Sequence, residues 1–178
     1  MTIPRSVIHD TFTIERSYPA TPQRVFAAFA SAEAKNIWSD IGDLEEAGGD
    51  AGIAEFDFRV GGRERFSFKY RGVTYRYDAR YYDIVPEQRI VYSYEMYADG
   101  ARMSVSVATI EFAKNGDGTA LAWTEQGAYL DGIDGPAAGS VRLRSHDGTE
   151  AGLAQRLRSG WLDGAGRTRS AAGTRRDG

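Results

Sequence analysis

Between residues 9 and 129 apolar and polar residues mostly alternate one for one, the period of a half-buried strand, and two short stretches break this with helical spacing. The first alternating segment runs from about His9 to Tyr18, where Phe12 and Ile14 are separated by Thr11, Thr13 and Glu15, and Pro19 closes it. Thr21 suits an N-cap and Pro22 the first helical position, and Val25, Phe26 and Phe29 then fall on one apolar face, so a helix is expected there. Ser31 caps a second short helix carrying Ala34, Ile37 and Trp38. From Ser39 to Gly52 there is no period, only glycine and acid, which predicts a loop. Its Asp40, Asp43, Glu45, Glu46 and Asp50 lack the ordered oxygen-ligand spacing of a calcium loop.

From Ile53 onward strand follows turn. Phe56 and Phe58 alternate with Asp57 and Arg59 before a hairpin at Val60–Arg63, where Gly61 and Gly62 supply backbone freedom. Phe66, Phe68 and Tyr70 alternate in the next segment, and further turns are expected at Gly72–Val73, Pro86–Gln88, Ala98–Gly100 and, most strongly, Asn115–Gly118. Met103, Val105 and Val107 alternate along one strand that runs to Phe112. Thr119 to Tyr129 forms the last, with Leu121, Trp123 and Glu125 on one face. The expectation is an antiparallel meander of six strands from Ile53 to Tyr129, joined at its edge by the strand from His9 to Tyr18. A closing helix is predicted from Asp147, ahead of Leu153 and Leu157.

Seven of the ten tyrosines lie between Tyr75 and Tyr97. Alternation places Tyr75, Tyr77 and Tyr81 on one side of the first strand of this pair, and Ile90, Tyr92, Tyr94 and Met96 on one side of the second. Such a face is apolar in its rings and polar at its tips, which suits a ligand-filled or wet cavity better than an aliphatic core. Tyrosine is also simply a good strand former, and that plainer reading stands beside the first.

A chain of 178 residues with 42% hydrophobic and 26% charged residues is one soluble domain. The absence of cysteine rules out disulfides, thiolate nucleophiles and zinc-thiolate sites and fits a reducing cytoplasm. The N-terminus has no apolar run of signal-peptide or membrane-spanning type, so a cytoplasmic protein without membrane contact is expected. Residues 1–135 hold 14 Lys/Arg against 21 Asp/Glu, a net of −7, which argues against nucleic acid as partner. Residues 136–178 carry a net of +4, and the Gly/Arg-rich segment 159–178 has no apolar period, so it reads as a disordered tail.

Candidate chemistry is sparse. His9 and His146 are the two histidines; neither belongs to a ligand motif or a nucleophile triad, and no metal or cofactor is expected. The glycine pairs at 61–62 and 116–118 belong to hairpins, because no helix follows them as in a phosphate cradle. Glu125 alone is an acid in phase with Trp123 and Leu121. On a concave face it would be a buried carboxylate, either a general acid or base or the partner of an arginine such as Arg80 or Arg102. Arg63 and Arg65 read as exposed charges.

The order of strand, two helices, six strands and terminal helix resembles the START-like, helix-grip fold of the SRPBCC superfamily. Five stretches are similar to bacterial proteins related to the activator of the heat-shock-protein-90 ATPase: Glu15–Phe29, Trp38, Phe56–Arg63, Tyr82–Glu95 and Gly116–Gly127. Together they cover about residues 7 to 134. The resemblance implies an α+β domain over 1–158 in which a seven-stranded curved sheet wraps a C-terminal helix around a cavity. Here Gly160, Gly164 and Gly166 interrupt that helix, each costing about 1 kcal/mol against alanine, so it is either shortened or altered by a change of reading frame. A neighbouring chain would then supply the missing wall, which makes a homodimer an expectation.

Three functions follow from this resemblance. The first is a binding protein for a small hydrophobic or aromatic ligand, held by Trp38, Phe56, Phe58, Tyr77, Tyr81, Tyr92, Tyr94, Trp123 and Glu125. The second is a polyketide cyclase- or aromatase-like enzyme using the same cavity. The third is a protein-binding module like the chaperone-ATPase activator. The absence of a recognisable nucleophile, metal set or cofactor motif favours the first.

Overall fold

Seven strands form one antiparallel sheet in the computed structural model, which describes residues 5–38, 52–70 and 72–133. In chain order the elements are β1 (Val7–Tyr18), α1 (Pro22–Phe29), α2 (Ala32–Trp38), β2 (Gly52–Phe56), β3 (Arg63–Tyr70), β4 (Val73–Val85), β5 (Arg89–Ala98), β6 (Ala101–Asn115) and β7 (Gly118–Leu130). The spatial order is β1-β7-β6-β5-β4-β3-β2, a meander from β2 to β7 with β1 added beside β7. With two short helices after the first strand this is the helix-grip arrangement expected from the sequence. The acidic loop from Ser39, His146, the helix expected from Asp147 and the tail 159–178 lie outside the described residues. No described helix is long and apolar enough to cross a membrane.

Local chemistry explains most boundaries. Pro22 opens α1, and the Thr21 carbonyl accepts the amides of Arg24 (3.0 Å) and Val25 (3.1 Å), although the Thr21 side chain makes no cap bond. Ser31 does cap α2, its Oγ accepting the Ala34 amide at 3.2 Å. The β2–β3 turn requires glycine: a Cβ on Gly62 would lie 2.0 Å from the Asp57 carbonyl oxygen. That turn is also fastened to β4, because the Gly61 amide donates to the Tyr81 carbonyl (2.8 Å) and the Tyr81 amide to that of Gly62 (3.1 Å). Phe58 therefore stands in the turn, beyond the end of β2 at Phe56, where alternation alone had extended the strand.

Register sorts the side chains onto two faces. Phe12, Glu125, Ala108, Tyr92 and Tyr81 stand in one row across β1, β7, β6, β5 and β4, and Ile14, Trp123, Ile110 and Ile90 in the next. This inner face carries the core. The helix α1 lies over one end of it: Val25, Ala28 and Phe29 are buried, and the rings of Phe26 and Phe29 each meet Phe112 at 5.6 Å. Burial of each such ring contributes about 1.5–3 kcal/mol.

On β6 the sequence pattern misleads. Val105 and Val107 point outward and are exposed, while Ser104, Ser106 and Ala108 face the core. A bulge between Met96 and Tyr97 shifts the pairing there and leaves Met103 buried too. Small residues belong inside at this point because Tyr94, Tyr129 and Glu125 fill the space in front of them. A second bulge, between Tyr81 and Asp83, keeps Asp83 outward beside the already outward Tyr82 and brings Ile84 to the core side.

Candidate functional site

Beyond the reach of α1 the inner face is an array of tyrosines. Side chains on neighbouring strands stand side by side, which lets several of their rings lie nearly parallel. Phe66 meets Tyr77 at 4.7 Å and Tyr77 meets Tyr94 at 5.1 Å, both stacked. Tyr92 continues the series to Tyr94 (6.1 Å), Tyr81 (5.9 Å) and Trp123 (6.5 Å). Phe58 closes the β2 side, 5.1 Å from Tyr81 and stacked on Phe56 at 6.1 Å. Phe56, Phe58, Tyr77, Tyr81, Tyr92, Tyr94, Trp123 and Glu125 are thus brought to one side of the sheet. Trp38 ends α2, and its side chain lies outside the described residues.

Glu125 is buried, away from both Arg80 and Arg102. The Ser106 hydroxyl donates to its Oε1 at 2.8 Å, Tyr94 hydrogen-bonds to it, and the Tyr129 hydroxyl stands at the outer limit of bonding, 3.5 Å away. Arg102 pairs instead with Glu95 (2.9 Å), and Arg80 lies over the Tyr82 ring. Both arginines are on the outer face: alternation with inward Tyr81 puts Arg80 there, and the bulge at Met103 puts Arg102 there, opposite Tyr97 and out of step with inward Ser104 and Ser106. Gly127 makes the cluster sterically feasible. A Cβ there would come within 2.8 Å of the Tyr129 ring, which folds back over the glycine towards Glu125.

A second buried carboxylate was not anticipated. Glu64, in phase with Phe66 and Phe68 on β3, is 3% exposed and accepts from Lys35 Nζ of α2 and from the Tyr81 hydroxyl, each at 2.5 Å. Lys35 also lies over the Phe56 ring. The position of Glu64 between Gly62 and Phe66 at period two was the available sequence signal. Its neighbours Arg63 and Arg65 masked it by making the segment look solvated. Of these, Arg63 is exposed, whereas Arg65 bonds Asp78 across the strand pair at 2.9 Å.

The electrostatics of the face favour neutral phenols. Burial pushes the hydroxyls of Tyr77, Tyr92 and Tyr94 well above the ordinary tyrosine value. The charges of Glu64 and Glu125, and neighbouring tyrosines, add to this. Tyr81 is raised by the same burial and by its bond to Glu64. These groups are therefore hydrogen-bond donors that keep their protons.

The comparisons with known proteins agree with this architecture. The model of the family described as "Activator of Hsp90 ATPase homolog 1-like protein" matches residues 19–159. The solved structure of Mll3558 from Rhizobium loti is similar at 46% identity, over 84% of this chain and 98% of that one, with a TM-score of 0.72. A protein from Rhizobium leguminosarum is 37% identical over 88% of this chain and 99% of its own, with a TM-score of 0.73. CV1439 from Chromobacterium violaceum is 25% identical over 83% of this chain and 96% of its own, with a TM-score of 0.64. No curated protein matches. With its family model spanning most of the sequence and a helix-grip sheet beneath it, the chain belongs to the activator of Hsp90 ATPase homolog 1-like family of the SRPBCC superfamily.

Proposed function

We propose that this protein binds a small, largely apolar aromatic molecule against the tyrosine-lined inner face and does not transform it. The observation that carries this is the continuous run of rings from Phe66 through Tyr77, Tyr94 and Tyr92 to Trp123. Rings offer apolar contact area, and hydroxyl tips offer a few fixed polar contacts, which is the usual composition of a small-molecule site. Phenols held protonated supply donors at neutral pH but no base or nucleophile, which favours binding over catalysis. The cysteine-free composition supports a cytoplasmic setting for this activity.

A titration with the neutral fluorescent probe Nile red tests the reading. Tyr94→Ala and Trp123→Ala should each weaken its binding by about 1 to 3 kcal/mol if their rings touch it. Unchanged affinity in both variants, with the fold intact, would remove the site from this face. Mass spectrometry of the natively purified protein should in addition detect a co-purified small molecule.

A further inference from the structure

The two ends of the sheet are finished differently. At one end β2 has five residues and a shift of register between Ile53 and Glu55, and both features blunt an edge against further pairing. At the other end β1 runs for twelve residues in unbroken register with β7, and among the described residues no strand pairs with its far side. It contains no lysine, proline or bulge. Such an edge is a template for one more strand. The sequence of β1 is also its own complement. When two copies pair antiparallel about a two-fold axis normal to the sheet, inner face continues into inner face, so residues of like parity stand opposite. With Thr13 on the axis, Asp10 meets Arg16 and Phe12 meets Ile14, each twice and all on the inner side. Exposed Ile8 then faces Tyr18. An axis at Thr11 sets Asp10 against Phe12, one at Phe12 sets Asp10 against Ile14, and one at Ile14 sets Arg16 against Phe12. Of these registers, the one about Thr13 matches charge with opposite charge and apolar with apolar.

We propose that the free edge of β1 is an interaction surface for a second copy of this chain, the two strands pairing antiparallel about Thr13 so that two seven-stranded sheets become one. Opposite charges and aromatic–aliphatic pairs placed directly across strands each favour the pairing, beyond the backbone hydrogen bonds that it completes. The contact is isologous and closes on itself: both long edges are used, and only the short, bulged edges of β2 remain at the ends. This surface is separate from the tyrosine array and does not depend on what the inner face binds. The homodimer expected from the sequence then forms through a sheet edge rather than through a shared cavity wall.

Sedimentation velocity of the wild-type chain should show a dimer. Asp10→Arg and Arg16→Asp each place two like-charge pairs across the interface, and each should raise the dimer dissociation constant by about tenfold. Mixed in equal amounts, the two variants should form a heterodimer of near wild-type affinity, because every arginine of one then faces an aspartate of the other. Damage to the fold of either variant could not be repaired in this way. A second readout uses the absence of cysteine from the chain. Thr13→Cys should yield a disulfide-linked dimer on mild oxidation, since the two positions face each other within the Cα separation that a disulfide spans. Thr11→Cys should not, because each copy stands opposite Glu15, about 13 Å along the strand from its mate. A monomeric wild type overturns the proposal. So does a dimer that both charge variants leave intact, a mixture of the two that stays monomeric, or a crosslink in Thr11→Cys in place of Thr13→Cys.

Discussion

Beneath α1 the rings of the inner face meet edge to face, whereas from Phe66 through Tyr77 to Tyr94, across β3, β4 and β5, they lie nearly parallel. Phe26 and Phe29 cross Phe112 at 70° and 74°, because a helix laid over a sheet brings its side chains in from above. Phe66 on Tyr77 and Tyr77 on Tyr94 are tilted by only 21° and 30°, because adjacent strands hold their side chains side by side. The first region has no hydroxyl among these rings and is sealed; the second ends in phenols and two buried carboxylates. The same residue class therefore does two jobs. Interlocked rings under the helix supply stability, and aligned rings beyond it leave flat surface and donors for a guest.

The largest separation between these regions should come from alkali. Tyr77, Tyr81, Tyr92 and Tyr94 are all raised from the ordinary value of 10.0, so the folded state prefers them neutral. Their contribution is whole below the unfolded value and is lost as pH rises above it towards the folded values. The protein should unfold steeply above about pH 10, with absorbance of tyrosinate at 295 nm appearing together with loss of the strand signal in circular dichroism. Phenylalanine at positions 77 and 92 should move that limb to higher pH. Replacement of Phe29 has no such pH signature, and a gradual tyrosine titration in the folded protein would show these phenols to be solvated.

Among substitutions, Phe29→Ala should weigh most, about 3–5 kcal/mol by denaturant titration, since the ring is enclosed by Phe112 and Trp123. Tyr94→Ala, on the half-buried side, should lose clearly less stability; equal losses would erase the distinction between a sealed and an open region. Lys35→Met leaves Glu64 with Tyr81 alone and should lose about 2–3 kcal/mol. The double variant Lys35→Met/Glu64→Leu should recover much of this, because an apolar pair needs no compensation. Gly127→Ala comes next, at about 1–2 kcal/mol, as its methyl displaces the Tyr129 ring. Tyr94→Phe, which deletes only a hydroxyl on Glu125, should lose about 1 kcal/mol in thermal unfolding.

The sealed region was easier to read from sequence than the open one. Pro22, Val25, Phe26 and Phe29 announce a helix with one apolar face, and the glycine-bearing turns at 99–100 and 115–118 cut the meander into its strands. Strand alternation also placed Tyr77, Tyr92, Tyr94, Trp123 and Glu125 on a common side. What it could not give was pairing. Glu64 and Lys35 are 29 positions apart, and nothing local marks a surface-looking lysine as the partner of a buried acid. Bulges were equally silent, yet one brings Ile84 to the core side and another buries Met103 beside the outward-facing valines. Arg80 and Arg102 reach the outer face, away from Glu125, by different routes: parity with inward Tyr81 already sets Arg80 there, whereas Arg102 shares the parity of inward Ser104 and is turned outward only by the bulge at Met103.

The sheet order also has a consequence in time. Among the described strands β1, the first made, pairs with β7, the last, so that Thr13 meets Thr124 across 111 positions of chain. The helix α1 waits as well, because the ring it packs on, Phe112, and the Trp123 indole lie on β6 and β7. Topologies dominated by such distant contacts fold slowly, since loop closure precedes the contacts that reward it. A nascent chain that has reached only Asn115 thus carries Phe26 and Phe29 with an unfinished surface to dock on and β1 with no neighbour. During synthesis its aromatic side must be kept from other chains until β7 arrives to receive both.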